Sequence, residues 1–296
     1  MPLRRLAQLT IVVTLLVILW GALVRATGSG AGCGRHWPLC NGEVVPQAPA
    51  AATAIEFTHR VTSGLALIMV VWLWAAARRR SPPGHRVRRA AAWSLLFIAI
   101  EAAIGAGLVL LELVGDDRSA LRAWYLAFHL ANTFALLAAL VATAHWADRP
   151  DPGARPPVPK ALVALLALLL TVGATGAVTA LGDTLFPAGS LAEGLGQHRD
   201  PAAHWLVRLR IIHPALAVVA AVVAAVIGIR LLIASPGPAV ALAARLMVVG
   251  IFAQLLVGVV NLVLLVPIAT QLTHLLVADL VWMAAILLAL EVRDVA

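Results

Sequence analysis

Eight apolar runs, each about 20 residues long, alternate with polar or glycine- and proline-rich breaks along the chain. They predict helices over about 6–25, 56–77, 90–113, 123–146, 161–181, 206–233, 246–266 and 272–291. Runs of that length cross a hydrocarbon layer ~30 Å thick. The short alternating segments of a membrane β-barrel do not occur. The fold class that follows is an all-α polytopic membrane protein. The first run follows Arg4 and Arg5 and so starts like a signal peptide. It lacks a small-x-small cleavage pattern, and its length suits a retained helix.

Composition agrees with that pattern. Hydrophobic residues make up 62% of the 296, and charged residues 12%, against about one half and one quarter in soluble domains. The net charge of +8 is not the footprint of a nucleic-acid partner, because the arginines lie mostly between helices, where the positive-inside rule expects them. "RRRSPPGHRVRR" (78–89) carries six arginines and a Pro-Pro break and marks a cytoplasmic loop. "ADRPDPGARPPVPK" (147–160) marks a second. Its prolines make a stiff linker between an N-terminal unit, 1–146, and a C-terminal unit, 161–296. Of the 22 Lys and Arg, 14 fall on the side of these loops and 8 on the other. Both termini are therefore expected in the cytoplasm, with the stretch "GSGAGCGRHWPLCNG" (28–42) outside.

The two units repeat each other. "GALVRATG" (21–28) resembles "GAVTALGD" (176–183), "EAAIGAGLVL" (101–110) resembles "QLLVGVVNLV" (254–263), and "EFTHRVTSGLA" (56–66) resembles "RIIHPALA" (210–217). "FHLANTF" (128–134) matches "THLLVAD" (273–279). The expected architecture is two tandem, pseudo-symmetric four-helix bundles, a design in which sites lie within and between related units. His59 falls in register with His213, and His129 with His274. All four are expected one to two turns in from the outer face. A single intramembrane histidine is most often a packing or proton-path residue. Two on opposed helices of one bundle suit axial ligation of a haem, and the repetition favours one haem-sized site per unit. Zinc fits less well, since it takes three or four ligands and each unit offers two histidines.

The units also differ. Glu56 stands one turn before His59, where the second unit has Arg210. Glu56 is a general base, a stabiliser of developing positive charge, or simply a helix-start residue in a favourable dipole. Arg210 and Arg208 are either forks around haem propionates or interfacial anchors. Glu101, at the position of Gln254, either relays protons or pairs with a neighbour. His36, His85, His145, His198 and His204 are expected in solvated or interfacial places. Cys33 and Cys40, the only cysteines, are close enough in the loop to close a disulfide. An exposed bond there is a structural staple or a switch that partner thiols can reach.

Taken together, "GALVRATGSGAGCGRHWPLCNG", "EFTHR" with "TSG", "HLANT", "GDTLFPAGSLAEG" with "RLRIIHP", and "QLTHLLVAD" resemble the haem A synthases of bacteria and mitochondria, in order and over essentially the whole chain. The resemblance implies oxidation of the C8 methyl of haem O to a formyl group by two successive hydroxylations, supplying haem A for cytochrome c oxidase. It implies that His59 and His129 face the substrate haem, that His213 and His274 hold a resident haem b, and that Glu56 is the catalytic acidic residue. Cys33 and Cys40 take the place of the family's outer-loop pair, expected as a disulfide-closed lid over the substrate side. Some members carry a second pair between helices 5 and 6. "LGDTLFPAGSLAEGLGQHRDPAAHW" contains no cysteine, so a two-disulfide relay is excluded. The implied location is the bacterial cell membrane, with haem sites near the extracytoplasmic face. The implied partners are haem O, a haem O synthase, an electron acceptor and membrane lipid, with oligomers left open and nucleic acid excluded. Two rival functions remain: a bis-histidine electron-transfer cytochrome, and a non-catalytic haem carrier or assembly factor.

Overall fold

A computed structural model describes residues 1–151, 156–235 and 237–295. Eight long helices account for most of it: α1 Leu3–Ala26, α2 Ala51–Arg80, α3 Arg86–Leu110, α4 Ala120–Trp146, α5 Lys160–Leu185, α6 Ile212–Ile233, α7 Pro238–Val263 and α8 Ile268–Val295. All eight are long and apolar enough to cross a membrane, α6 together with the short helix Trp205–Arg208 and the tight turn that lead into it. The protein is an integral membrane protein with an all-helical fold. The linker expected at 147–160 lies partly outside the described residues.

Local chemistry sets the helix ends. α2 begins at Ala51, earlier than the expected 56, because the three alanines of "AATA" extend it with the best helix former. Glu56 is therefore in the second turn of α2 rather than at its start, so the dipole explanation for it weakens. α7 begins at Pro238, where the expected start is 246. Proline is favoured in the first turn, where its missing N–H costs nothing. It stops at Val263, because Leu265 and Val266 both take positive φ ahead of Pro267. Ser119 caps α4 by accepting from Arg122 N at 3.2 Å, and His85 caps α3 by accepting from Val87 N at 3.2 Å.

Within the first four helices α1 packs on α2 and α4, and α3 on α2 and α4; within the last four α5 packs on α6 and α8, and α7 on α6 and α8. The two groups meet where α4 lies against α5 and α8, and α1 against α8. Buried apolar side chains concentrate at one end, the end of the 78–89 loop. One cluster gathers Leu6, Leu73, Leu140 and their neighbours, and the other Leu165, Ala224, Met247 and Leu288. Lipid is as apolar as these side chains, so close packing rather than water exclusion holds the helices together. Ala220, Ala221, Ala224, Ala243, Ala244, Ala285 and Ala289 supply the small surfaces that allow it. His59, His129, His213 and His274 lie toward the opposite, less filled end.

Three polar junctions tie the two groups at different depths. Near the histidine end, Arg25 of α1 donates to Ala180 O (2.8 Å) and Thr184 Oγ1 (2.5 Å) of α5 and to Gln271 Oε1 of α8 (2.8 Å). Deeper in, Phe134 stacks on Trp282 at 4.9 Å, and Trp282 Nε1 donates to Phe134 O at 2.7 Å. At the arginine-rich end His145 of α4 lies 2.8 Å from Asp294 and 3.4 Å from Glu291, both on α8. The sequence suggests an interfacial place for His145, but its side chain is only 1% exposed, because α8 crosses over it. Replacing His145 by alanine leaves buried carboxylates short of a partner. The expected loss is about 2 kcal/mol, read as a lowered thermal midpoint in detergent with the helical content unchanged beforehand.

Candidate haem-binding site

Glycines make room for the histidines. A Cβ at Gly21 of α1 would lie 2.9 Å from His59 Cε1, and one at Gly176 of α5 would lie 2.9 Å from His213 Cε1. These two glycines are themselves in register in the repeat. A Cβ at Gly258 of α7 would lie 3.1 Å from His274 Cε1. Any larger residue at Gly21 or Gly176 would push the imidazole aside.

In the second group His213 and His274 face each other, ring centres 6.2 Å apart and planes at 87°. Val172 O lies 3.1 Å from His213 Nδ1. A proton on Nδ1 satisfies that carbonyl and leaves Nε2 with its lone pair free, the state that binds a metal. Gln254 Nε2 lies 3.2 Å from His274 Nε2, and His274 Nδ1 has no hydrogen-bond partner. A ring-centre separation of 6.2 Å leaves room for one metal atom between the two imidazoles, which would hold a haem iron if haem is bound. The observed spacing fits a bis-histidine haem.

The first group is built differently. Glu101 of α3 reaches His129 Nδ1 at 3.3 Å, close enough for an ion pair but not aligned as a hydrogen bond. Its oxygens also accept from Thr133 Oγ1 (2.5 Å) and Asn132 Nδ2. Glu101 thus pairs with a neighbour, and the neighbour is a candidate ligand. His59 Nδ1 is buried without a partner. His129, Glu101 and Arg60 are near enough to act on it electrostatically. Imidazole nitrogens without a hydrogen-bond partner occur in both groups: Nδ1 of His59, His129 and His274. The same helical position therefore presents a carboxylate to one histidine pair (Glu101) and an amide to the other (Gln254).

Over the first site lies the 28–42 loop, closed by a Cys33–Cys40 disulfide. Both cysteines are buried, at 0% and 1% exposure, which corrects the expectation of an exposed, readily reached bond. The loop folds onto the start of α2: Thr53 Oγ1 donates to Gly32 O at 2.8 Å. A Cβ on Gly32 would come within 2.6 Å of the Ala52 backbone, so only glycine allows the approach. Glu56, 3% exposed, accepts from Cys33 N at 2.8 Å through one oxygen and pairs with Arg60 through the other. Arg60 also donates to His36 O and Leu39 O. Glu56 and Arg60 together fasten the disulfide loop to the helix that carries His59.

Arg210 and Arg208 part company. Arg210 pairs with Asp183 at 2.8 Å and donates to Gln197 Oε1, Gly182 O and Phe186 O. Its guanidinium is occupied in holding the loop after α5, while Arg208 is exposed. Sequence reasoning passed over Arg25 and Asp183, whose partners are distant in the chain. It left Glu101 as a proton relay or a paired residue and named Gln254 only as its counterpart; the structure sets Glu101 beside His129 and Gln254 beside His274. Asp279, five residues past His274, is fully buried with neither oxygen hydrogen-bonded, where the repeat has Phe134.

Known proteins resemble this chain. A protein named protoheme IX farnesyltransferase from Thermus thermophilus is 47% identical over 277 residues, covering 93% of this chain and 46% of that protein. The chain thus spans about half the length of that relative. A heme A synthase from Shouchella clausii is 42% identical over 111 residues, 36% of each protein. Another, from Alkalihalophilus pseudofirmus, is 38% identical over 140 residues, 45% of this chain and 42% of that one. The model of one family, described as cytochrome oxidase assembly protein, matches residues 4–286. The chain therefore belongs to the COX15-CtaA family of cytochrome oxidase assembly proteins.

Proposed function

We propose that this protein is a haem A synthase, converting the C8 methyl of haem O into a formyl group. The observation that carries the reading is the pair of dissimilar histidine sites at one end of the membrane. His213 and His274 stand at bis-histidine spacing with an amide beside them, and His59 and His129 with a carboxylate beside them. The N-terminal unit, 1–146, takes haem O at His59 and His129. The C-terminal unit, 161–296, holds haem b at His213 and His274, and the two are tandem pseudo-symmetric bundles joined by 147–160. Haem b, when bound, supplies one-electron redox chemistry. Arg208, exposed beside the second site, is the better of the two arginines for a propionate. The arginine-rich end faces the cytoplasm with both termini, so the histidine end and the disulfide loop lie at the extracytoplasmic face of a bacterial cell membrane.

With water as the oxygen source, each hydroxylation removes two electrons and releases two protons. The second gives a geminal diol, which loses water to the aldehyde, so four electrons in all pass to an acceptor. Glu56 and Glu101 are the carboxylates placed to act: Glu56 one turn from His59, Glu101 against His129. Both oxygens of Glu56 are already engaged. It acts as fixed negative charge, steadying positive charge on the oxidised carbon and holding the lid in place. The Thermus relative is named for a farnesyltransferase, yet this chain covers 46% of it. We assign that name to its other half. By that reading a haem O-forming prenyltransferase activity supplies the substrate.

The test is to express the protein with a source of haem O, extract the haems and identify them by chromatography and mass spectrometry. Haem B with haem A supports the synthase. Haem B alone, with haem O supplied and the protein intact, turns the reading to an electron-transfer cytochrome. Haem O released unchanged turns it to a carrier.

A further inference from the structure

At the arginine-rich end, away from His59, His129, His213 and His274, α3, α4 and Arg293 of α8 border an open cavity of about 490 Å³. One wall is a single face of α3: Arg86, Arg89, Trp93 and Phe97, at helical spacing. The floor is a face of α4 made of Ala135, Ala138, Ala139 and Ala142 and closed by Trp146. Small residues opposite large ones make a groove. From Ala135 to Trp146 it runs roughly 16 Å, at 1.5 Å per residue, close to the ~15 Å depth of one leaflet of a ~30 Å hydrocarbon layer.

Its mouth is basic. Arg86 is held by Asp151 and Asp294 and lies over the Trp146 ring at 5.8 Å, so it shapes the wall. Arg89 and Arg293 have no acidic partner among the described residues; Arg293 donates from Nε to Pro156 O at 3.2 Å. Arg89 also borders a second cavity of about 280 Å³, shared with Arg78 and Arg88 and lined by no acidic residue. A groove one leaflet deep, apolar along its length, with arginines and tryptophans at the headgroup level, matches one kind of occupant. We propose that it binds an anionic phospholipid, the phosphate on Arg89 and Arg293 and one acyl chain along the alanine floor. A soluble phosphate would use the mouth and leave the groove bare. The proposal is independent of the haem chemistry.

The experiment is native mass spectrometry of the full chain, released from detergent after incubation with equimolar phosphatidylglycerol and phosphatidylcholine of matched chains. Wild type is expected to retain phosphatidylglycerol in preference. The Arg89→Gln/Arg293→Gln double variant should lose that preference by about thirtyfold, from two interfacial arginines. Arg230→Gln/Arg245→Gln, the same charge change outside the groove, should leave it intact. Ala138→Trp, which fills the groove and keeps both arginines, should also lower retention. Equal retention of the two lipids by wild type would overturn the proposal. So would equal losses in the two double variants, or displacement of the lipid by glycerol 3-phosphate alone.

Discussion

Replacing His274 by alanine is expected to empty the second site of its haem while the first still takes substrate. His213 is fixed from behind by the Val172 carbonyl, and His274 closes on it across a 6.2 Å gap. Gly176 and Gly258 allow the two rings their positions. Altering a group that only supports a ligand costs 10–100-fold in metal affinity, so removing an axial ligand outright should cost more than ~100-fold. Haem B per chain, measured by pyridine haemochrome on the purified protein, should fall to near zero in His274→Ala and in His213→Ala. His59→Ala should keep haem B and lose only bound haem O. The opposite pattern, haem B lost with His59 and kept without His274, would reverse the assignment of the two units. None of these readings depends on turnover.

The eight membrane segments were legible because lipid imposes a length and a polarity that the sequence must satisfy, whatever the tertiary contacts. Their ends were less so. The eight-residue error at the start of α7 arose where a favourable N-terminal proline and an alanine run extend a helix past its most apolar stretch. The four histidines were legible through the repeat, and so was the contrast between Glu101 and Gln254. The partners were not. Arg25 reaches residues some 155 and 246 positions away, and His145 is buried by a helix 149 positions away. The burial of Cys33 and Cys40 depends on Gly32 meeting the α2 backbone, a contact that composition does not reveal. Arg210 reads as a free fork in the sequence, but Asp183 and the Gly182 carbonyl of α5, with Phe186 O and Gln197 Oε1 beyond it, occupy it.

These contacts divide the molecule by depth. At the arginine-rich end, leucine and alanine packing and the His145 network hold the helices firmly. At the other end glycines and imidazoles replace bulky side chains, and the stability must come from Arg25, the disulfide loop and whatever the histidines bind. A haem at each histidine pair would therefore be structural as well as chemical, since ligands that bind only the folded state stabilise it.

Glu56 is where structure and chemistry are hardest to separate, and two substitutions separate them. Glu56→Ala removes the acceptor of the Cys33 N–H and leaves Arg60 without its carboxylate. A nearly buried cation stripped of its partner is strongly destabilising, so the loop should loosen and haem A formation should fall for mixed reasons. Glu56→Gln keeps the shape and an oxygen for Cys33 N–H but removes the charge. Losing a fixed charge that acts on the reacting centre is expected to lower turnover by about 10²–10³. The disulfide should meanwhile remain as protected from reductant as in wild type. Haem A formation per bound haem O, and the rate of Cys33–Cys40 reduction, are the two measurements. A Glu56→Gln protein with normal turnover and normal protection would make the carboxylate's charge irrelevant and leave Glu56 only as the latch. Normal protection with turnover lost assigns the charge to the reaction, because the lid is then closed and the chemistry has stopped beneath it.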